Sequence, residues 1–307
     1  MRWLRKGRRR ERAGEDGDPS LPSIAGVVER SLAEQLAVDG YARAGQLLSS
    51  DEVLRARGVF DEAMQRLGRP LGEQWFPTIL LPDDGVRAYI TDELEALIRP
   101  RLATVLDPDQ LELLRLDFSV KPPSGASELG PHQDFSLVDE RRATSLYLWI
   151  PLEDMDEQNG TLHVVPGSHR FSNRIRSQHV PARFDEVLDL VDEASERLDC
   201  RAGELILMVS GVVHHSPPNR GDAVRLAAHG IVRPADVPLV FYYADDATPE
   251  GLVECYEMDL EHYVRHIHQG RPTSGEPVTE LLERPPESMS RERFQRGLAS
   301  VRERALR

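Results

Sequence analysis

The stretch TSLYLWIPLEDMDEQNGTLHVVPGSH, residues 144–169, decides the fold. It holds two short apolar runs, TSLYLWIPL and TLHVV, separated by Asn159-Gly160 and followed by Pro166-Gly167. Both dipeptides are strong turn formers, and runs this short between turns read as strands rather than helices. Ser145, Tyr147 and Trp149 alternate within the first run and share one strand face. Tyr147 is as suited to the core as to a substrate contact. Working outward, the same pattern recurs in LLRLDFSV (113–120), ELILMV (204–209), VRLAAHGIV (224–232) and LVFYY (239–243). Many short strands joined by Gly, Pro and Asn turns predict a β-sandwich or barrel from about residue 111 onward.

The part before residue 111 reads differently. Helices are expected over residues 24–38, from Ser49 to about Leu67, and from Asp92 to Leu106, with Pro70, Pro77 and Pro82 breaking the region between. Ser49 or Asp51 suits the N-cap of the second helix. From about Glu257 the pattern is a helix, a Pro/Gly-containing linker and a final charged helix. The domain organisation expected is a disordered basic tail over 1–20, one domain over 21–270, and a C-terminal linker and helix over 271–307. No internal repeat is present.

Composition narrows the function classes. The 307 residues are 40% hydrophobic and 29% charged, as in an ordinary globular protein. With 38 basic and 52 acidic residues the formal net charge is −14, which disfavours nucleic acid as the main partner. The basic run from Arg2 to Arg12 lacks an adjoining apolar segment and reads as a solvated tail, not a secretory signal. No apolar run approaches the roughly 18–20 residues that span a bilayer, so no membrane partner is expected. Two cysteines, Cys200 and Cys255, are too few for a disulfide framework and fit a cytoplasmic setting. Oligomeric state is not legible.

The first chemical signal is Gly130-Pro131-His132-Gln133-Asp134. On a strand, positions two apart project together, so His132 and Asp134 would offer an imidazole and a carboxylate to one point. These are two of the three ligands of a 2-His-1-carboxylate facial triad. A third must come from elsewhere, and His214-His215 follows a buried strand-like run. Spacing alone does not choose between them. Arg225, eleven residues beyond His214, offers a planar fork for a carboxylate. Lys121 precedes the metal segment. His163 and His169 flank the Pro166-Gly167 turn, where His169 suits turn stabilisation. His262 and His266 are one helical turn apart and, with His268, read as an exposed helix rather than a metal clip.

Together these segments resemble the phytanoyl-CoA dioxygenase family of Fe(II)/2-oxoglutarate-dependent oxygenases, over residues from about Asp39-Gly40-Tyr41 to about Tyr263. The resemblance is carried by DGYARAGQLLSSDEV, PHQDFSLVDE, SLYLWIPLEDMDEQNGTLHVVPGSH and HHSPPNRGDAVR in that order. It implies a mainly β fold with flanking helices: a double-stranded β-helix, that is, a jelly-roll, cupin-like core. It implies iron held by His132, Asp134 and His214, because Ser216 and Asn219 then also fall into place. It implies that Arg225 binds the distal carboxylate of 2-oxoglutarate, with Ser216, Trp149 and Gln133 as further contacts. The expected reaction is oxidation of a small organic substrate by dioxygen, with release of succinate and CO2. Gly221 departs from the family, which often has Ser or Thr there. Asp134 stands where halogenating relatives have a small residue, which favours hydroxylation. Two alternatives share the metal site: a cupin-like enzyme that does not use 2-oxoglutarate, and a non-catalytic metal-binding sensor. Arg225 argues against the first and the complete triad against the second.

Overall fold

A computed structural model describes residues 24–266, 270–272 and 277–305. The basic tail expected over 1–20 lies outside these residues, as does His268.

Three antiparallel sheets carry the fold. The major sheet has strand order β1 (Tyr41–Gln46), β8 (Glu204–Val209), β5 (Leu146–Pro151), β10 (Arg225–Pro234), β3 (Leu111–Lys121) and β2 (Phe76–Pro77). The minor sheet runs β4 (Leu129–His132), β9 (His214–Ser216), β6 (Leu162–Val164) and β7 (Glu196–Leu198). A third sheet joins β11 (Val240–Tyr243), β12 (Leu252–Glu257) and β13 (Val278–Glu283). The helices are α1 (Arg30–Asp39), α2 (Ser50–Leu67), α3 (Asp84–Leu102), α4 (Leu188–Ala194), α5 (Leu260–His266) and α6 (Arg291–Ala305).

Alternation along the major strands explains the layering. Leu146, Leu148 and Ile150 of β5 join Leu116, Phe118 and Val120 of β3 in a core shared with Leu36 of α1, Phe60 of α2 and Ile90 of α3. The opposite face sends Tyr147, Trp149, Ile206, Met208 and Ala227 into a second cluster with Leu162, Val164 and Leu198 of the minor sheet. The two sheets therefore sandwich one interior, and helices cover the outer face of the major sheet. This is the double-stranded β-helix.

Local chemistry sets the element ends. Ser49 Oγ accepts from the Glu52 amide while Glu52 accepts from the Ser49 amide, a capping box that starts α2. Glu52 then takes two hydrogen bonds from Arg101, at 2.9 and 2.7 Å, tying α2 to α3. α3 begins at Asp84, not near Asp92 as expected, because Asp83 caps the Val86 amide at 2.9 Å. α1 begins at Arg30 rather than near residue 24; Val27 instead bridges to Leu106, which ends the third helix at Leu102. The expected C-terminal linker contains β13, whose partner β12 was also not foreseen. α6 packs against the outside of the sandwich through Phe294, which meets Phe171 edge-on at 5.5 Å. A side chain at Gly297 would collide with the Phe171 ring, so only glycine permits this approach.

Candidate metal centre and anion pocket

The minor sheet positions the histidines. His132 ends β4 and is the register partner of His214, which begins β9. Their rings lie 4.2 Å apart, centroid to centroid. Asp134 lies just beyond the end of β4 rather than on the strand, yet its carboxylate still returns to the same point. One oxygen is 3.9 Å from His132 Nε2 and the other is 3.8 Å from His214 Nε2. One donor atom from each residue falls within 4.8 Å of the others, the only such group found among the described residues.

Hydrogen bonds orient both rings. His132 Nδ1 faces the Gly130 carbonyl at 2.9 Å, and His214 Nδ1 faces the Val212 carbonyl at 3.1 Å. Each carbonyl can only accept, so each Nδ1 carries the proton and each Nε2 turns a lone pair toward Asp134. Burial pushes both rings down to about 4; the neighbouring His214 adds to the effect at His132, and His215 and His229 add to it at His214. Burial raises Asp134. Two neutral imidazoles and one carboxylate, aimed at one point, are a donor set that fits a divalent transition metal.

Strand alternation separates the adjacent histidines. His214 and Ser216 share the inner face of β9, while His215 turns outward. His215 Nε2 meets Ser195 Oγ at 3.2 Å, and its ring lies against His163 at 4.9 Å. His169 is buried in the turn after Pro166-Gly167, against Gly40. His262 pairs with Asp259 at 2.8 Å and joins no metal cluster among the described residues.

Arg225 begins β10 and is 3% exposed. Its Nη1 donates to the Gly160 carbonyl at 2.9 Å and its Nη2 reaches Ser119 Oγ at 3.4 Å. Nε is buried with no partner, and among the described residues no carboxylate lies within ion-pair distance of the guanidinium. Burial pushes Arg225 down to about 10, opposed by Glu153. Trp149 lies beneath it, 5.7 Å from guanidinium carbon to ring centre. Gly160 supplies that carbonyl from a left-handed conformation (φ +70°), and a Cβ there would strike the Pro217 carbonyl.

Lys121, the register partner of Arg225, is fully buried. Its Nζ donates to Ser216 Oγ at 2.6 Å, to the Ser216 carbonyl at 2.9 Å and to the Pro217 carbonyl. Burial and the charge of Arg225 push it down to about 6. Asn219 closes the following loop, donating to the Lys121 and Ala223 carbonyls and accepting from the Gly221 amide. The loop therefore closes on the Gly221 backbone without a side chain there. Two buried basic side chains thus sit side by side with no carboxylate within ion-pair distance among the described residues, an arrangement suited to an incoming anion. Gln133 is placed differently: its amide nitrogen donates to the Gly211 and Asn173 carbonyls, and its Oε1 has no partner.

Several residues of the site were not singled out from sequence. Arg176 is 1% exposed, donates through Nε to the Asp134 backbone carbonyl at 2.7 Å, and forms a two-pronged pair with Glu140 at 2.7 and 2.6 Å. Glu140 also accepts from Ser210, which accepts from Ser145. His229 Nδ1 meets Asp117 at 3.0 Å, and its ring lies 5.2 Å from Tyr147. Burial lowers His229, but the Asp117 bond and charge overcome this and raise it. The alternation of Arg225, Ala227 and His229 in VRLAAHGIV was a usable signal for His229. Nothing local marks Arg176 or Glu140.

Comparison with known proteins bears on the family and the fold. A family model described as Phytanoyl-CoA dioxygenase (PhyH) matches residues 36–227. Phytanoyl-CoA dioxygenase domain-containing protein 1 of Mus musculus is 31% identical over 210 residues, covering 63% of this chain and 69% of that protein. Phytanoyl-CoA dioxygenase 1 of Oryza sativa subsp. japonica is 28% identical over 110 residues, covering 35% of this chain. The chain spans only 39% and 42% of the first two curated relatives it matches. Among solved structures, EctD from S. alaskensis in its apoform superposes with a TM-score of 0.51 at 20% identity, covering 72% of this chain and 84% of that one, which shows a shared fold. No described helix is long and apolar enough to cross a membrane. The chain belongs to the phytanoyl-CoA dioxygenase family of Fe(II)/2-oxoglutarate-dependent oxygenases.

Proposed function

We propose that this chain is an Fe(II)- and 2-oxoglutarate-dependent dioxygenase that hydroxylates or otherwise oxidises a small organic substrate, releasing succinate and CO2. In this reading His132, Asp134 and His214 hold the iron, and Arg225, Ser216 and Trp149 hold the co-substrate. The observation that carries it is one interior holding both the convergent triad and Arg225, a buried guanidinium with a spare N–H and no carboxylate partner among the described residues.

Bound iron supplies the activation of dioxygen; the protein supplies geometry and a dry site. Asp134 contributes the anionic ligand, and the two carbonyl-anchored histidines stay neutral so that Nε2 is free to coordinate. Arg225 neutralises the distal carboxylate and Trp149 walls it from water. Gln133, with its donors committed to Gly211 and Asn173, holds the turn between the two ligands His132 and Asp134. Arg225 and His229 lie four residues apart on one face of β10, about 13 Å at roughly 3.3 Å per residue. That span places Tyr147 and the Asp117–His229 pair away from the carboxylate end, where the substrate would lie.

The test is an anaerobic titration of purified protein, first with Fe(II) and then with 2-oxoglutarate, followed by calorimetry. One iron per chain and iron-dependent binding of 2-oxoglutarate are expected. Arg225→Ala should weaken 2-oxoglutarate at least about tenfold, since a charge-assisted bond contributes about 1.5–3 kcal/mol and about 1.4 kcal/mol is a factor of ten. Iron affinity should not change. Arg225→Lys should recover only part of the loss, because an ammonium lacks the planar fork. Wild-type protein that binds iron but no 2-oxoglutarate would overturn the proposal in favour of a metal enzyme without that co-substrate.

A further inference from the structure

The three oxygens around Lys121 Nζ bear on a neighbour. They are Ser216 Oγ, the Ser216 carbonyl and the Pro217 carbonyl. The carbonyls can only accept, and an ammonium has three donors and no acceptor. A neutral amine would leave one of the three oxygens facing a nitrogen lone pair or would require the serine to donate back to Nζ. A carboxylate arriving at Arg225 favours the charged lysine, and its three N–H groups then match the three oxygens, so that in the short Lys121–Ser216 bond the lysine gives and the serine accepts. A hydroxyl carries one proton, so that of Ser216 remains to be donated elsewhere.

Its destination follows from the strands. Ser216 shares the inner face of β9 with His214, two residues away. Lys121, which holds Ser216, stands directly across from Arg225 in the β3–β10 register. The serine hydroxyl is therefore at the rung where the buried guanidinium waits. We propose that Lys121 is a positioning residue for the co-substrate: by donating to Ser216 Oγ it leaves the serine's own proton for the carboxylate held at Arg225. The inference rests on the reading of Arg225 and Ser216 given above. Lys121 does not touch the carboxylate; it sets the polarity of the hydroxyl that does. A carboxylate only accepts, and a hydrogen bond to it is roughly twice as strong as one between neutral groups, so the direction of that one proton matters.

The experiment is a double-mutant cycle on 2-oxoglutarate affinity, read by calorimetry with anaerobic Fe(II)-loaded protein. Lys121→Met and Ser216→Ala should each raise Kd about tenfold, and the double variant should be no weaker than about the Ser216→Ala single, because each removes the same bond. Iron affinity should be unchanged in all three. Lys121→Gln, whose neutral amide can still donate to Ser216 Oγ, should stay within about threefold of wild type; this variant and Ser216→Ala carry the test if Lys121→Met does not fold. Losses that simply multiply in the double variant, or a Lys121→Gln as weak as Lys121→Met would be expected to be, overturn the inference and make the lysine a source of charge alone. Failure of wild-type protein to bind 2-oxoglutarate is the separate result that overturns the underlying reading, and this inference with it.

Discussion

Arg176 joins the stability of the fold to the geometry of the metal centre, and its removal has a calculable cost. Its side chain is 1% exposed and that of Glu140 is 10% exposed. The pair is bidentate, and Arg176 Nε also holds the Asp134 carbonyl at 2.7 Å. In Arg176→Met, Glu140 would remain buried with only the Ser210 hydroxyl for a partner. Breaking one side of a buried pair costs about 3–5 kcal/mol. At about 2–4 °C per kcal/mol for a domain of this size, the thermal midpoint should fall by roughly 6–20 °C. Replacing both partners, as in Arg176→Met with Glu140→Leu, removes the stranded charge and should restore at least about 1 kcal/mol of the loss. Scanning calorimetry of the metal-free proteins measures both. Iron affinity should fall in either variant, because the Asp134 turn loses its anchor. A single variant within about 3 °C of wild type, or a double variant no more stable than the single, would refute the account of the pair.

Three further outcomes follow from the geometry. His214→Ala should sharply reduce Fe(II) binding in equilibrium dialysis while His215→Ala retains it, because only His214 turns its Nε2 toward Asp134; the reverse would exchange their roles. Asp134→Ala should abolish substrate-dependent succinate formation, and undiminished turnover would remove the carboxylate from the mechanism. Metal-free protein should also lose stability as pH falls from about 6.5 toward about 4, since burial depresses His132, His214 and His215 to about 4. The unfolded chain then binds more protons than the folded one in that window, so stability rises with pH through it; a thermal midpoint higher at pH 5 than at pH 7 would contradict this.

The sequence by itself determined the parts of this protein whose cause is local. Alternating apolar runs between Gly and Pro turns specified the strands, because side-chain direction repeats every two residues whatever the tertiary setting. The same rule paired His132 with Asp134, although Asp134 proved to lie two residues past the strand's end. Spacing left His214 and His215 as equals. The resemblance favoured His214, and the phase of β9 supplies the physical reason by turning His215 toward Ser195. Arg225 was visible as a residue but not as a buried cation without a carboxylate, which depends on what the folded chain brings near it. β13 read as linker because Pro272, Gly275 and Pro277 precede it and Pro285-Pro286 follow, while its stability comes from pairing with β12. The contacts that hold the site join residues far apart in the chain: Glu140 to Arg176 across 36 positions, Lys121 to Ser216 across 95, Asp117 to His229 across 112. Each is a charged or polar group whose burial is tolerable only because a distant partner meets it. No periodicity in the sequence records such a meeting, and only the tertiary structure decided it.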